Sequence, residues 1–112
     1  MIVDSIRFLI AYDLAAILYT MQLTVQKTPN PNALKFVLSA KTFGQPLNFS
    51  STESAAAHPL AMRLFAVGNI YNVFMAQDFI TVNKLPQAAW PALEVAIQAV
   101  IVDYFRNNRV GA

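Results

Sequence analysis

Residues 21–38 read Met21-Gln22-Leu23-Thr24-Val25-Gln26-Lys27-Thr28-Pro29-Asn30-Pro31-Asn32-Ala33-Leu34-Lys35-Phe36-Val37-Leu38, and their pattern decides the fold class. Met21, Leu23 and Val25 alternate with polar side chains, the period of a strand with one face on a core. Leu34, Phe36 and Leu38 repeat the pattern around Lys35 and Val37. Between them two prolines fix φ and remove two N–H donors, while asparagine tolerates turn geometry. The stretch therefore reads as two antiparallel strands joined by a rigid corner.

Further along the chain, residues 39–49 contain Gly44 and Pro46 and read as a loop ending in a short edge strand, Leu47 to Phe49. Ser50 and Glu53 have capping-box spacing. Pro59 then restarts a helix at its first position. On that helix Leu60, Leu64 and Val67, with Ala61 and Phe65 beside them, share a face, and Met62 and Arg63 point outward. Gly68-Asn69 ends it. Residues 70–75 and 79–83 are strand-like and flank a turn at Gln77-Asp78. A last helix is expected over 88–107, where Leu93, Ile97, Val100, Ile101 and Tyr104 keep helical spacing. Strands followed by helices in this order predict an α+β fold: a mainly antiparallel sheet of about four to five strands with two helices packed on one face, plus an apolar N-terminal helix.

That N-terminal helix is the expectation for residues 1–20, MIVDSIRFLIAYDLAAILYT, an apolar leader preceding a domain over 21–112. Asp4, Arg7 and Asp13 interrupt it too closely for a membrane span of about 18 apolar residues. A helix packed on the domain or on a second copy, a poorly ordered segment, and membrane contact stay open for it. No export signal is recognisable, which points to a cytoplasmic protein.

Composition narrows the function classes. The chain has 112 residues, 56% of them hydrophobic and 12% charged, so it is not an intrinsically disordered sequence. Scaling laws give about two-thirds of its surface buried on folding, enough for one core. The net charge of +2 leaves no dense basic stripe, so nucleic acid is not an expected partner. There is no cysteine, which removes disulfides, thiolate-held clusters and cysteine nucleophiles from this chain's own chemistry.

Separated blocks along the sequence carry a family likeness. Thr28-Pro29-Asn30-Pro31-Asn32-Ala33-Leu34-Lys35-Phe36 resembles the signature of the N-terminal domain of the NifU-like (Nfu) iron–sulfur scaffold proteins. Pro59 to Val67 resembles that domain's first long helix. Val73-Phe74 with Asp78-Phe79-Ile80-Thr81-Val82-Asn83-Lys84 is similar to its second hairpin, and Trp90 to Phe105 fits its closing helix. The likeness covers residues 21–107. It implies a part in iron–sulfur cluster assembly. In the family, cluster chemistry belongs to a separate domain with a Cys-x-x-Cys pair, which this cysteine-free sequence does not supply. The expectation is a non-catalytic accessory domain that binds no cofactor alone. It would meet iron or an iron–sulfur cluster only through a cysteine-containing assembly or carrier protein, and it would self-associate, if at all, through residues 1–20.

The expected partner surface is the corner Thr28, Pro29, Asn30, Pro31 and Asn32 with Lys35, because a pre-organised loop loses little entropy on docking. Arg63 and Asp78 complete the set. The same corner residues also serve simply to fix the hairpin. His58, the lone imidazole, has no second ligand at metal-binding spacing and reads as a cap. Asp78 alone reads as a turn residue whose side chain satisfies backbone N–H groups. Trp90, Phe74, Phe79 and Tyr71 read as core aromatics. No catalytic or metal-binding set emerges, so no enzyme is expected.

Overall fold

The computed structural model describes residues 22–107. The elements are β1 (Leu23–Lys27), β2 (Ala33–Leu38), β3 (Phe43–Phe49), α1 (Thr52–Ala55), α2 (Pro59–Ala66), β4 (Ile70–Gln77), β5 (Phe79–Lys84) and α3 (Trp90–Asn107). The strands form one antiparallel sheet in the order β1-β2-β5-β4-β3.

Strand register explains the core. Phe36 lies opposite Val25 on one side and Ile80 on the other, and Ile80 lies opposite Met75. Leu34, Val82 and Val73 make a parallel row one pleat away. Side chains alternate across a strand, so these rows share one sheet face. Leu60 and Leu64 of α2 and Leu93, Ile97 and Ile101 of α3 close over that face. Phe36, Met75, Ile80, Leu64 and Ile97 are fully buried. Each is worth about 1.5–3 kcal/mol of apolar burial.

Local chemistry ends the helices where they must end. Ser51 is the N-cap of α1: its hydroxyl accepts from Ser54 N, and Ser54 Oγ accepts from Ser51 N in return. The capping box is thus one residue later than Ser50/Glu53, because serine replaces glutamate as the reciprocal partner. His58 caps α2 through Nδ1, which accepts from Ala61 N at 3.4 Å, and Pro59 follows at the first helical position. Gly68 (φ 94°) and Asn69 (φ 64°) take the left-handed conformations that stop α2.

Three further expectations are corrected. β3 begins at Phe43 and keeps Gly44 and Pro46 inside the strand. An edge strand tolerates both, at the cost of an irregular register between Phe43 and Leu47. α3 starts at Trp90 rather than at residue 88, after the turn in which Ala88 N donates to Leu85 O. Phe74 and Phe79 are not core aromatics. Their positions alternate with the buried rows, so they lie on the sheet face opposite the helices, half-buried, with ring centroids 6.0 Å apart. Tyr71 is 62% exposed. The expected helix over residues 1–20 lies outside the described residues, as does anything it would organise.

Candidate functional site

The corner is held by its own polar atoms. Thr28 Oγ1 accepts from Asn30 N at 3.1 Å, and its one proton lies within reach of the carbonyls of Asn30 (2.9 Å) and Ala33 (3.1 Å). Asn30 Oδ1 accepts from Asn32 N at 2.9 Å, and Asn30 O accepts from Ala33 N at 3.0 Å. With φ of Pro29 and Pro31 set by their rings, the loop has little freedom left.

A second layer locks the corner to the rest of the molecule. Lys84, at the end of β5, is 6% exposed and is the one buried charged side chain among the described residues. Its Nζ donates to Asn32 Oδ1 at 2.9 Å and to the carbonyls of Leu85 and Pro86, each at 3.4 Å. Its backbone N–H donates to Asn32 O at 2.8 Å. Three acceptors match the three ammonium donors, so the charge is buried but satisfied, and by neutral groups alone. Trp90, the first residue of α3, donates from Nε1 to Pro31 O at 2.9 Å, and its ring lies 5.7 Å from Lys84 Nζ. One turn is therefore gripped by β5 and α3 together.

Beside this grip lies a pocket of about 310 Å³ lined by Lys27, Thr28, Pro29, Pro31, Leu34 and Trp90, among others. Its walls are proline, leucine and indole, and its rim carries an ammonium. Among the described residues the ion pairs join only Asp103 to Arg63 and Arg106, so Lys27, Lys35 and Lys84 face no carboxylate.

The residues expected to meet a partner fall in four places. Thr28 to Asn32 make the corner. Lys35 lies on the sheet face opposite the helices, with Nζ 4.3 Å from the centre of the Phe79 ring. Asp78 occupies the β4–β5 turn at the opposite end of β5 from Lys84, about 20 Å along the strand. There its carbonyl, rather than its carboxylate, accepts from Leu38 N at 2.6 Å. Arg63 is on the helix layer, where NH2 donates to Asp103 Oδ2 at 2.9 Å. Asp103 sits about 20 Å along α3 from Trp90. Arg63 thus ties α2 to α3. Its hydrogen bond holds the Asp103 carboxyl below the usual range, with help from Arg106. Burial holds the His58 imidazole below its ordinary pKa, and its ring lies 5.5 Å from that of Phe49.

Lys84 and Trp90 were missing from the expected site. A signal for Lys84 was present, since Ile80, Val82 and Lys84 share one strand face and a lysine in a core-facing register needs buried acceptors. Trp90 had no comparable signal, because its partner, Pro31, lies 59 residues away in sequence. Among the described residues no three His, Cys, Asp or Glu side chains gather to hold a metal ion.

Comparison with known proteins places this architecture. The family described as scaffold protein Nfu/NifU N terminal matches residues 23–108. The chain is 40% identical over 91 residues to the NFU1 iron-sulfur cluster scaffold homolog, mitochondrial, of Drosophila willistoni, covering 80% of this chain and 32% of that protein. It is 33% identical over 96 residues to NifU-like protein 5, mitochondrial, of Arabidopsis thaliana, covering 80% and 33%. The chain thus spans about a third of these relatives' length. The solution structure of a NifU-like protein from Saccharomyces cerevisiae shares the fold, with a TM-score of 0.71 and 23% identity over 80% of this chain and 82% of that one. A crystal structure of a Staphylococcus aureus protein shares it with a TM-score of 0.63 and 24% identity over 72% and 99%. Matched from β1 to the end of α3, the chain belongs to the Nfu/NifU scaffold family through that family's N-terminal domain.

Proposed function

We propose that this domain serves iron–sulfur cluster assembly as a non-enzymatic docking module, with the cluster as its partner's cargo. The observation that carries the reading is the family match over residues 23–108 in a sequence without a single cysteine. Cluster irons are held by thiolates, so residues 1–112, which supply none, contribute by docking to the part that has them. The corner and its pocket supply the surface: pre-organised, apolar at the centre and basic at the rim. The partner is a cysteine-bearing assembly or carrier protein. The relatives carry mitochondrial in their names. No described helix is long and apolar enough to cross a membrane. A cytoplasmic location therefore rests on the sequence reading alone.

The test is anaerobic reconstitution with ferrous iron and sulfide, followed by titration with a protein carrying the family's Cys-x-x-Cys domain. The expected result is no stoichiometric iron on the isolated chain and saturable association with the cysteine protein. Stoichiometric iron with sulfur-to-iron charge-transfer bands on the isolated chain would defeat the reading. So would a lack of association with cysteine-bearing partners.

A further inference from the structure

The two edges of the sheet are built differently. β3 carries Gly44 and Pro46, and its register with β4 is broken between Phe43 and Leu47. Proline, bulges and charged side chains, lysine above all, blunt an edge against strand addition. β1 has no proline and no bulge, and its one charged residue, Lys27, stands at its end. Its five residues pair with β2 in unbroken register, Leu23↔Leu38 through Lys27↔Leu34, and no described strand lies on its other side. In an antiparallel ladder alternate N–H and C=O groups point outward, so β1 presents a regular row of them to any extended segment.

The pocket lies at the end of this edge. Lys27 is both the last residue of β1 and part of the pocket rim, and Leu34, its partner across the ladder, is part of the wall. At about 310 Å³ the pocket has room for one large apolar side chain. Charge decides what surrounds that side chain. Lys27 forms no ion pair among the described residues, and the ammonium of Lys84 behind the corner is answered only by neutral oxygens.

From this arrangement we infer that β1 and the corner pocket together form a groove for an extended acidic segment of a partner protein. The segment adds a sixth strand along Leu23–Lys27 and seats one aromatic or branched aliphatic side chain between Pro29, Pro31, Leu34 and Trp90. Its carboxylates face Lys27. Main-chain pairing supplies part of the affinity and the pocket supplies selectivity, the division of labour that strand addition uses. This inference rests on the docking role proposed above and names the chemistry of the partner.

The full chain is titrated with an N-acetylated, C-amidated peptide, Glu-Asp-Val-Phe-Val-Asp-Glu. Trp90 is the chain's single tryptophan and stands in the pocket wall, so its emission reports occupancy directly. Amide shifts of Leu23 to Lys27 report strand addition. The expected result is a saturable change in both. Affinity should fall about tenfold or more when the peptide's Phe becomes Ala, when its acids become Lys, or when a Val becomes Pro and loses its N–H. Lys27→Glu should weaken binding by a similar factor. Lys41→Glu, the same charge change in the β2–β3 connection, should not. Equal binding of the lysine-substituted peptide, or no response at Trp90 and β1 up to millimolar peptide, overturns the inference. So does strong hydrogen-exchange protection of β1's outward N–H groups in the free chain, because the edge would then already be covered. Association with a cysteine-bearing assembly protein without any peptide response refutes this groove and leaves the docking role standing. A peptide response without that association does the reverse.

Discussion

Replacing Lys84 by Met tests whether the buried ammonium holds the corner or is merely tolerated there. Methionine keeps the length of the stem and removes the charge. The hydrogen bond to Asn32 Oδ1 at 2.9 Å is charge-assisted, worth about 1.5–3 kcal/mol net. The contacts to Leu85 O and Pro86 O at 3.4 Å and to the Trp90 ring at 5.7 Å add roughly 0.5–1 kcal/mol. The substitution also orphans Asn32 Oδ1, at about 1–3 kcal/mol. Against these stands relief from burying a charge, which is several kcal/mol per ion. The balance is a loss of about 2 kcal/mol, or roughly 8–16 °C in melting temperature for a domain of this size. Urea and thermal unfolding followed by circular dichroism read the change, and Trp90 emission reports whether its bond to Pro31 O survives. Adding Asn32→Leu removes the orphan and should return about 1–2 kcal/mol in a double-mutant cycle. A Lys84→Met protein as stable as the parent, or a coupling under about 0.5 kcal/mol, would refute the argument that this lysine stabilises the corner.

Three other outcomes follow from the geometry. His58 caps α2 with a neutral Nδ1, and burial lowers its pKa from the ordinary 6.5, so the unfolded chain takes up the proton first. Stability is complete above pH 6.5 and falls as the pH drops from there to the lower folded-state value. His58→Asn should cap equally well and flatten that slope in pH-dependent urea melts. The Asp103 carboxyl is held below its ordinary 3.8, chiefly by the hydrogen bond from Arg63, so its contribution is present above that pH and disappears as the pH falls through the folded value. Both partners are more than a third exposed, so Asp103→Asn should cost only about 0.5 kcal/mol at pH 7, measured by urea unfolding. Gln77 has φ 48°, a left-handed conformation costly for a residue with a Cβ. Gln77→Gly should gain about 0.5 kcal/mol after glycine's larger unfolded-state entropy is subtracted, read as a rise of roughly 2–4 °C in melting temperature.

What the sequence alone determined was local. Strand alternation in residues 23–27 and 33–38, the Pro-Asn corner, the Pro59 helix start and the Gly68-Asn69 stop each depend on neighbours within one turn or one pleat, and each stands where the pattern puts it. The motif blocks carried the family for the same reason, being contiguous. What only the tertiary structure decided was which side chains meet. Pairing β2 with β5 brings Asn32 to Lys84 across 52 residues, and the path of α3 brings Trp90 to Pro31 across 59. Lys35 and Asp78, both expected to meet a partner, are sent to a sheet face and a far turn, and Arg63 is spent on Asp103. Placing the helices on one sheet face also turned Phe74 and Phe79 away from the core, a choice their apolar character does not reveal. Local periodicity records which face of a strand is apolar. Only packing settles which of two apolar faces the described helices cover, and hydrogen bonds closed over fifty residues leave no trace in spacing.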